Sequence, residues 1–442
     1  MTRVAVVEPF PRTSGVTTYA KHLAAGFREA GCDVDTVSMI KDRARKLTVG
    51  GQKAQEGGRV QSGWQWSPWT PDRVVRWGDA RAAFLEYDLV FLNEPRCAPL
   101  DKAAMRKIGE GDIKLGRSRV RDGDVAEDEV PQYIRALEGV RWVTCMHDPG
   151  YTEKHAPFLP QLMELAAPAL VVTHRDGSLE SAQWALDAAF YSPDEHPKTI
   201  RITHLPFAFE PSARDSWPEV VGATGRYINN KGQPTVLALA LAGKLPRGWS
   251  VEVGGASPLG AGPNHTFLTF EAFQKAGWDA LRLGNGNVTT GDPWVALKDG
   301  TAARYFGPYD DGQEYSLRHG VHVNATEAAF SGPGSLEYAD LEAVAARCEL
   351  VLPLHRNTDD AYAAHLYDLS KCWNAELSSV DEERASTLES LARAVSLAAE
   401  HVFEPGLARL ATDFNVERAR ELSDPGRYAL QVLDALQRPG AR

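Results

Sequence analysis

The sequence predicts an α/β protein with parallel sheets, divided into two domains. Three observations predict it. Strand-like apolar runs alternate with helical ones over most of the 442 residues. The runs in the first half end in polar residues, as strands do when their carboxyl ends face a crevice. A proline- and turn-rich stretch, PFAFEPSARDSWP over residues 206–218, then separates this series from a second one, and the length suits two domains of ordinary size.

VAVVEPF opens the chain as a buried-strand pattern. GVTTYAKHLAAGFREAG follows as an amphipathic helix ending at Gly31, and CDVDTVSM as a second strand. YDLVFLNEP, VRWVTCMHDP and APALVVTH come next, so their polar terminators Glu94, His147, Asp148 and His174 are expected to gather at one sheet edge. The second series starts at EVVGATGRYINNKG, with a helix from about Gln233. WSVEVGG, ARYFGPY, GVHVNAT and ELVLPL continue it as strands. From about Val380 the chain reads as helical, broken by Pro405 and Pro425. The sequence holds no internal repeat and no low-complexity tract.

Composition narrows the class. A hydrophobic fraction of 43% with 24% charged residues describes a soluble globular protein with a sizeable core. No apolar run approaches the roughly 18–20 residues that span a bilayer, and MTRVAVVEPF lacks the apolar core of a signal peptide. A cytoplasmic protein without membrane partners is expected. The five cysteines, Cys32, Cys97, Cys145, Cys348 and Cys372, are scattered with no CxxC spacing. Free buried thiols are expected rather than a disulfide framework or a zinc site. The formal charge of −11 argues against indiscriminate coating of nucleic acid, while leaving room for a local basic surface.

Four segments carry chemistry. In TSGVTTY, Gly15 stands between the first strand and the first helix, where backbone and helix N-terminus favour an anionic or hydroxyl-rich ligand. A plain tight turn reads the same way, and the segment is not the GxGxxG fingerprint. GRYINNKG places Arg226 after a strand and Lys231 before a helix. A guanidinium and an ammonium there suit a diphosphate leaving group, or else are two solvated loop cations. The His147–Asp148 pair ends a strand and suits the orientation and deprotonation of a hydroxyl, or is a satisfied structural histidine with its neighbour. GSLEYADLEAVA sets Glu337 and Glu342 five residues apart after the turn-rich AAFSGPGS. Alone, these are either solvated residues at a helix start or carboxylates that hold the hydroxyls of a sugar nucleotide.

Two further stretches bear on an acceptor. Residues 102–121 hold seven Lys/Arg against two acidic residues, and Lys114, Arg117, Arg119 and Arg121 are placed to grip nucleic-acid phosphates. Residues 122–129 hold five acidic residues, so the whole also reads as a self-compensating solvated loop. WQWSPWTPDRVVRW sets Trp64, Trp66, Trp69 and Trp77 in a polar context, either for stacking on sugars or bases or for packing a long loop.

Strand–SGV–helix, strand–HD, strand–GR…KG and a glycine loop before E…E occur in one order, and that order resembles the GT-B glycosyltransferases. In particular, GSLEYADLEAVA resembles the corresponding segment of the T-even bacteriophage DNA α-glucosyltransferases, with the same step between glutamates. GVTTYAKHLAAGFREAGCDVDTVSM is similar to their first helix and second strand. The similarity is scattered over most of residues 1–355. Where retaining GT-B enzymes more broadly carry an acidic residue eight positions before the second glutamate, this chain has Gly334.

The resemblance implies two Rossmann-like domains facing across a cleft. Residues 1–210 would form an acceptor-side domain and 218–415 a donor domain, with 416–442 returning to the first. It implies a retaining transfer from a UDP-sugar, with UDP-glucose expected, to a hydroxylated base in phage DNA such as 5-hydroxymethylcytosine, in host cytoplasm if phage-encoded. The rival is the same transfer onto a protein, glycan or small molecule. Glu342 would accept from the donor's ribose hydroxyls, Glu337 would hold the transferred sugar, and backbone amides from Ser335 onward would face the diphosphate, alongside Gly15, Arg226 and Lys231. No cofactor and no essential metal are implied.

Overall fold

The computed structural model describes residues 1–8, 15–41, 71–95, 100–101, 130–147, 157–174, 176–225, 233–255, 295–296, 301–307, 309, 311–325, 337–352 and 381–438. Of these, the residues up to Ala208 and from Ser423 onward form one compact unit, and Phe209 to Leu422 form another.

The first unit holds β1 (Arg3–Val7), α1 (Gly15–Glu29), β2 (Asp33–Lys41), β3 (Arg73–Arg76), α2 (Ala80–Phe84), β4 (Leu89–Asn93), β5 (Leu100–Asp101), α3 (Val130–Leu137), β6 (Trp142–Met146), α4 (Leu159–Leu165), β7 (Leu170–Thr173), α5 (Asp176–Ala189) and β8 (Lys198–Arg201). Its sheet runs β3-β2-β1-β4-β6-β7-β8, with β5 pairing β2, and every pair is parallel. Strands covered on both faces need apolar side chains throughout, which is why VAVV, LVFLN and WVTCM are buried along their length. The order reverses at β1, which has β2 on one side and β4 on the other. In open parallel sheets, ligands are received beyond the carboxyl ends of the strands at such a switch point, here β1 and β4.

The first helix buries Tyr19, Ala20, Leu23, Ala24 and Phe27, the i, i+3/i+4 stripe of its sequence. It ends where Gly31 takes φ 82°, a left-handed conformation that costs glycine little. Three helices close the chain: α9 (Asp381–Phe403), α10 (Pro405–Leu422) and α11 (Pro425–Gln437), numbered after α6 (Gln233–Leu241), α7 (Gly312–Ser316) and α8 (Tyr338–Ala345) of the second unit. Pro405 and Pro425 each start a helix, a position where the missing N–H costs nothing. The last helix lies on α1. A Cβ at Gly26 would stand 2.1 Å from the Pro425 carbonyl oxygen, so the contact requires glycine.

The second unit holds β9 (Val220–Ala223), β10 (Ser250–Gly254), β11 (Val295–Ala296), β12 (Ala302–Gly307), β13 (Val321–Val323) and β14 (Glu349–Val351). The sheet runs β11-β12-β10-β9-β13-β14, parallel except for β11, and reverses at β9. Helix α9 packs against β13 and β14, burying Leu391, Ala394, Val395 and Ala398 with Trp249, Val251 and Val321.

The stretch 206–218 is anchored by Arg214, which binds the Ala346, Leu317 and His319 carbonyls at 2.9, 3.0 and 2.5 Å. A guanidinium with five donors suits the carbonyls left open where α7 and α8 end. Trp217 adds a 2.6 Å hydrogen bond to Arg347 O. Among the tryptophans, Trp77 is buried against Tyr133 in the first core, so packing is its role. Trp64, Trp66 and Trp69 lie outside the described residues.

Candidate functional site

Each unit gathers polar side chains at the carboxyl edge of its own sheet. In the first unit, Glu8 follows β1, Asn93 ends β4, Glu94 follows it with φ 54°, His147 follows β6 and His174 follows β7. All but His147 are buried, and His147 is half-buried. A positive φ on a buried glutamate is a strained backbone that the fold must hold in place.

The hydrogen bonds fix the chemistry of this group. Asn93 Nδ2 donates to Glu8 Oε2 at 2.6 Å and to Val16 O at 2.8 Å, which leaves Asn93 Oδ1 to accept from His147 Nε2 at 2.7 Å. His174 Nδ1 donates to Ile202 O at 2.8 Å. Ser178 Oγ donates to His147 O at 3.1 Å. The Cys145 thiol sits under the two rings, 3.1 Å from His174 Nε2 and 3.8 Å from His147 Nδ1. Tyr19 meets both rings edge-on and pairs with Tyr428 through their hydroxyls at 2.7 Å. Burial pushes the Cys145 thiol well above its ordinary range, so the sulfur holds its proton. Glu94, His147 and His174 therefore stand at one edge as the strand rule expects, while Asp148 lies outside the described residues.

In the second unit the edge is built around the turn after β9. Gly225 takes φ 111°, and its N–H donates to Tyr309 Oη at 2.9 Å. Tyr309 stacks on Tyr315 with centroids 4.6 Å apart and planes 2° from parallel. Glu342 faces the same place. A Cβ on Gly312 would lie 1.8 Å from Glu342 Oε2, so the carboxylate rests on that glycine. Burial first, and the Glu342 charge second, push the Tyr309 phenol above its ordinary range. Arg226 and Lys231 belong to the segment between Gly225 and Gln233 and lie outside the described residues, as do Ser335 and the basic positions Lys114, Arg117, Arg119 and Arg121.

Glu337 starts α8, and the helix is pinned there by Asp340. Asp340 Oδ2 accepts from Glu337 N at 2.9 Å and from Asn324 Nδ2 at 2.7 Å, and Oδ1 lies 3.3 Å from His322 Nε2. One buried carboxylate thus fixes the helix that carries both Glu337 and Glu342. Behind this edge, burial acts to raise the Glu252 carboxyl, but His319, Arg318 and Arg304 outweigh it and hold it at about 2. Gly15, the first residue of α1, is exposed.

Sequence reasoning missed Glu8, Asn93, Cys145, Tyr309, Gly312 and Asp340. Glu8 and Asn93 were findable by the rule that found Glu94, since each is a polar residue closing an apolar strand. Asp340 stands three residues after Glu337, the offset of a reciprocal helix cap. Tyr309 and Gly312 carry no such signal.

No family model matches the chain, and no curated protein matches it. Solved structures do. An alpha-glucosyltransferase in complex with UDP-glucose and DNA containing an abasic site matches with a TM-score of 0.57 at 13% identity, over 99% of this chain and 100% of that one. An alpha-glucosyltransferase with UDP and a 13-mer DNA containing an HMU base matches with 0.58 at 13% identity, over 99% of each chain. Anabaena HepE in complex with UDP and glucose matches with 0.54 at 11% identity, over 99% of each chain. At these identities the likeness is one of fold, and the fold is that of the GT-B glycosyltransferases, two Rossmann-like units. The resemblance read from the sequence holds at that level.

Proposed function

We propose that the protein is a nucleotide-sugar-dependent glycosyltransferase that moves a sugar from a UDP-sugar, UDP-glucose first among them, with retention of configuration. The observation that carries this reading is the position of Glu342, on a helix whose start is pinned by Asp340 and beside the Gly225–Tyr309 turn at the switch point of the second sheet. A carboxylate there accepts hydrogen bonds from ribose hydroxyls, and a switch-point edge is where doubly wound sheets receive nucleotides. Arg226 and Lys231, which flank that turn in sequence, neutralise the departing diphosphate. Glu337 and Ser335 serve the transferred sugar and the diphosphate, and Gly15 lets the donor approach the start of α1 closely. No cofactor takes part, and no essential metal is needed for the transfer.

The acceptor is a hydroxylated base in DNA, such as 5-hydroxymethylcytosine, received with the help of His147 and Asp148 and gripped through Lys114, Arg117, Arg119 and Arg121. Solved relatives in fold that hold DNA support this acceptor, and HepE, bound to UDP and glucose, supports a rival acceptor that is a protein, glycan or small molecule. Among the described residues no helix is long and apolar enough to cross a membrane, which suits an enzyme of the cytoplasm. Mass spectrometry of nucleosides after incubating hydroxymethylated DNA with a panel of UDP-sugars tests the reading. A mass increase of one hexose on the modified base is expected. UDP-sugar turnover with no change in the DNA would leave the transferase and remove the DNA.

A further inference from the structure

We infer, resting on the transferase reading above, that Glu8 and Asn93 are positioning residues of the acceptor side that act through His147, and that the His147 ring holds the end of β6 without itself taking the acceptor's proton. The hydrogen bonds of the ring carry this. Asn93 Nδ2 is committed to Glu8 Oε2 at 2.6 Å and to Val16 O at 2.8 Å. Its Oδ1 therefore faces His147, and the imidazole proton sits on Nε2, 2.7 Å away. The other nitrogen, Nδ1, faces the Cys145 sulfur at 3.8 Å. Asn93 and Cys145 are both fully buried. The two ring nitrogens flank one carbon, Cε1, so that whole edge of the imidazole points into the unit.

What the half-buried ring turns outward is its carbon edge, which has no basic atom. A histidine that deprotonates a hydroxyl must bring a nitrogen within hydrogen-bond reach of it, and both nitrogens of His147 are turned to buried partners. The place of Asn93 calls for an amide. It gives hydrogen bonds to a buried carboxylate and accepts one from an imidazole, in fixed directions, whereas Asp would set a second carboxylate against Glu8. The main chain of His147 is held as well. Ser178 Oγ donates to His147 O at 3.1 Å, and Tyr19 meets the ring edge-on with centroids 4.5 Å apart. Ring and carbonyl thus grip the strand end where the chain leads on to Asp148. The sequence gives no hint of the relay, because Glu8, Asn93 and His147 follow three different strands.

Two substitutions separate a proton acceptor from a positioning group. His147→Gln places an amide N–H where Nε2–H stands, so it keeps a donor for Asn93 and removes all basicity. With UDP-glucose and hydroxymethylated DNA, kcat should fall by less than about tenfold in His147→Gln and by about a hundredfold in His147→Ala, the cost of a misplaced site. Asn93→Ala should fall like His147→Ala, and the double variant no further, as residues acting as one unit do. KM for UDP-glucose should hold steady in both His147 variants, since that ring touches no group assigned to the donor. A general base contributes about 10²–10⁴-fold, so a loss of that size in His147→Gln overturns the inference. The full chain carrying 15N-labelled histidine gives a reading that needs no transfer. At pH 8 an imidazole N–H on Nε2 should be visible, shielded from exchange with water, and should vanish in His147→Gln. A His147 proton found on Nδ1 overturns the inference even where Asn93→Ala fails to fold. A wild-type enzyme that moves no sugar to DNA would sink the proposed acceptor, and the spectrum would still decide the relay.

Discussion

The carboxyl edges of the two sheets have the same topology and partner their buried carboxylates differently. In the first, Glu8 and Glu94 are buried beside uncharged hydrogen-bonding groups: the Asn93 amide between Glu8 and His147, the protonated Cys145 thiol, and a pair of tyrosine hydroxyls. The second is held by buried charge: Glu252 with Arg304 and Arg318, and Asp340 with His322 and Asn324. Removing one partner of a buried uncharged hydrogen bond costs about 1–3 kcal/mol. Removing the carboxylate from a buried ion pair costs about 3–5 kcal/mol, because the Arg304 charge stays buried. The same parallel scaffold therefore gives one edge where Glu8 is met by an amide and another where Glu252 is met by guanidinium groups.

The largest effect should come from Glu252. Glu252→Gln removes the charge while leaving Arg304 and Arg318 in place, and should cost about 3–5 kcal/mol of stability in the second unit. The pH dependence follows from the same pairing. The carboxyl is held at about 2, below its ordinary 4.5. Its contribution is fully present above pH 4.5 and is lost as pH falls toward 2, about 3 kcal/mol in all. Amide hydrogen exchange in β9 and β10 should accelerate over that window in the wild type and lose that dependence in Glu252→Gln. Acid sensitivity of β9 and β10 that persists in Glu252→Gln would remove the assignment to this carboxylate.

Glu342 tests the second edge as a site rather than as structure. With Glu342→Ala, KM for every UDP-sugar should rise by about a hundredfold, about 3 kcal/mol, because ribose is common to all of them and charged hydrogen bonds are lost. Glu337→Ala should instead blur the choice among sugars. Two variants with identical profiles would remove the division of labour between the glutamates.

Gly222 measures how tightly the charged edge is packed. A Cβ there would stand 2.1 Å from His319 Cγ, and His319 is one of the groups holding Glu252. Gly222→Ala should destabilise the second unit by about 2 kcal/mol through overpacking, and shift the acid transition toward higher pH as His319 is displaced. Lost stability with an unmoved acid transition would show that His319 does not act through Glu252.

Much of this was legible in the sequence, for a physical reason. Strands buried on both faces must be apolar for their whole length, so VAVV, LVFLN, WVTCM and LVVT are visible, and so are the polar residues that end them. Short edge strands such as Arg73–Arg76 and Lys198–Arg201 are half-exposed and polar, and the apolar rule is silent about them. Spacing along the chain predicted Glu342 at a helix start, yet could not show Tyr309 or Gly312 against it, because those contacts join elements that only the fold brings together. Arg214 was hidden in the same way. Its partners are carbonyls at the ends of two helices more than a hundred residues on.

The smallest effect should come from the uncharged tyrosine pair of the first unit. The Tyr19 and Tyr428 hydroxyls meet at 2.7 Å with both side chains buried, one on α1 and the other on the last helix. Tyr428→Phe should cost about 1 kcal/mol, the ordinary net worth of a hydrogen bond between uncharged groups. Tyr19→Phe should cost somewhat more, because the same hydroxyl also serves the Cys145 sulfur. The double variant should be less destabilised than the sum of the two, since removing both hydroxyls leaves neither buried without the other. Chemical denaturation of the four proteins at pH 7 measures the coupling. Strictly additive effects would show that the two hydroxyls do not act as a pair, and the contact between α1 and the last helix would then rest on packing alone, such as that of Gly26 against Pro425.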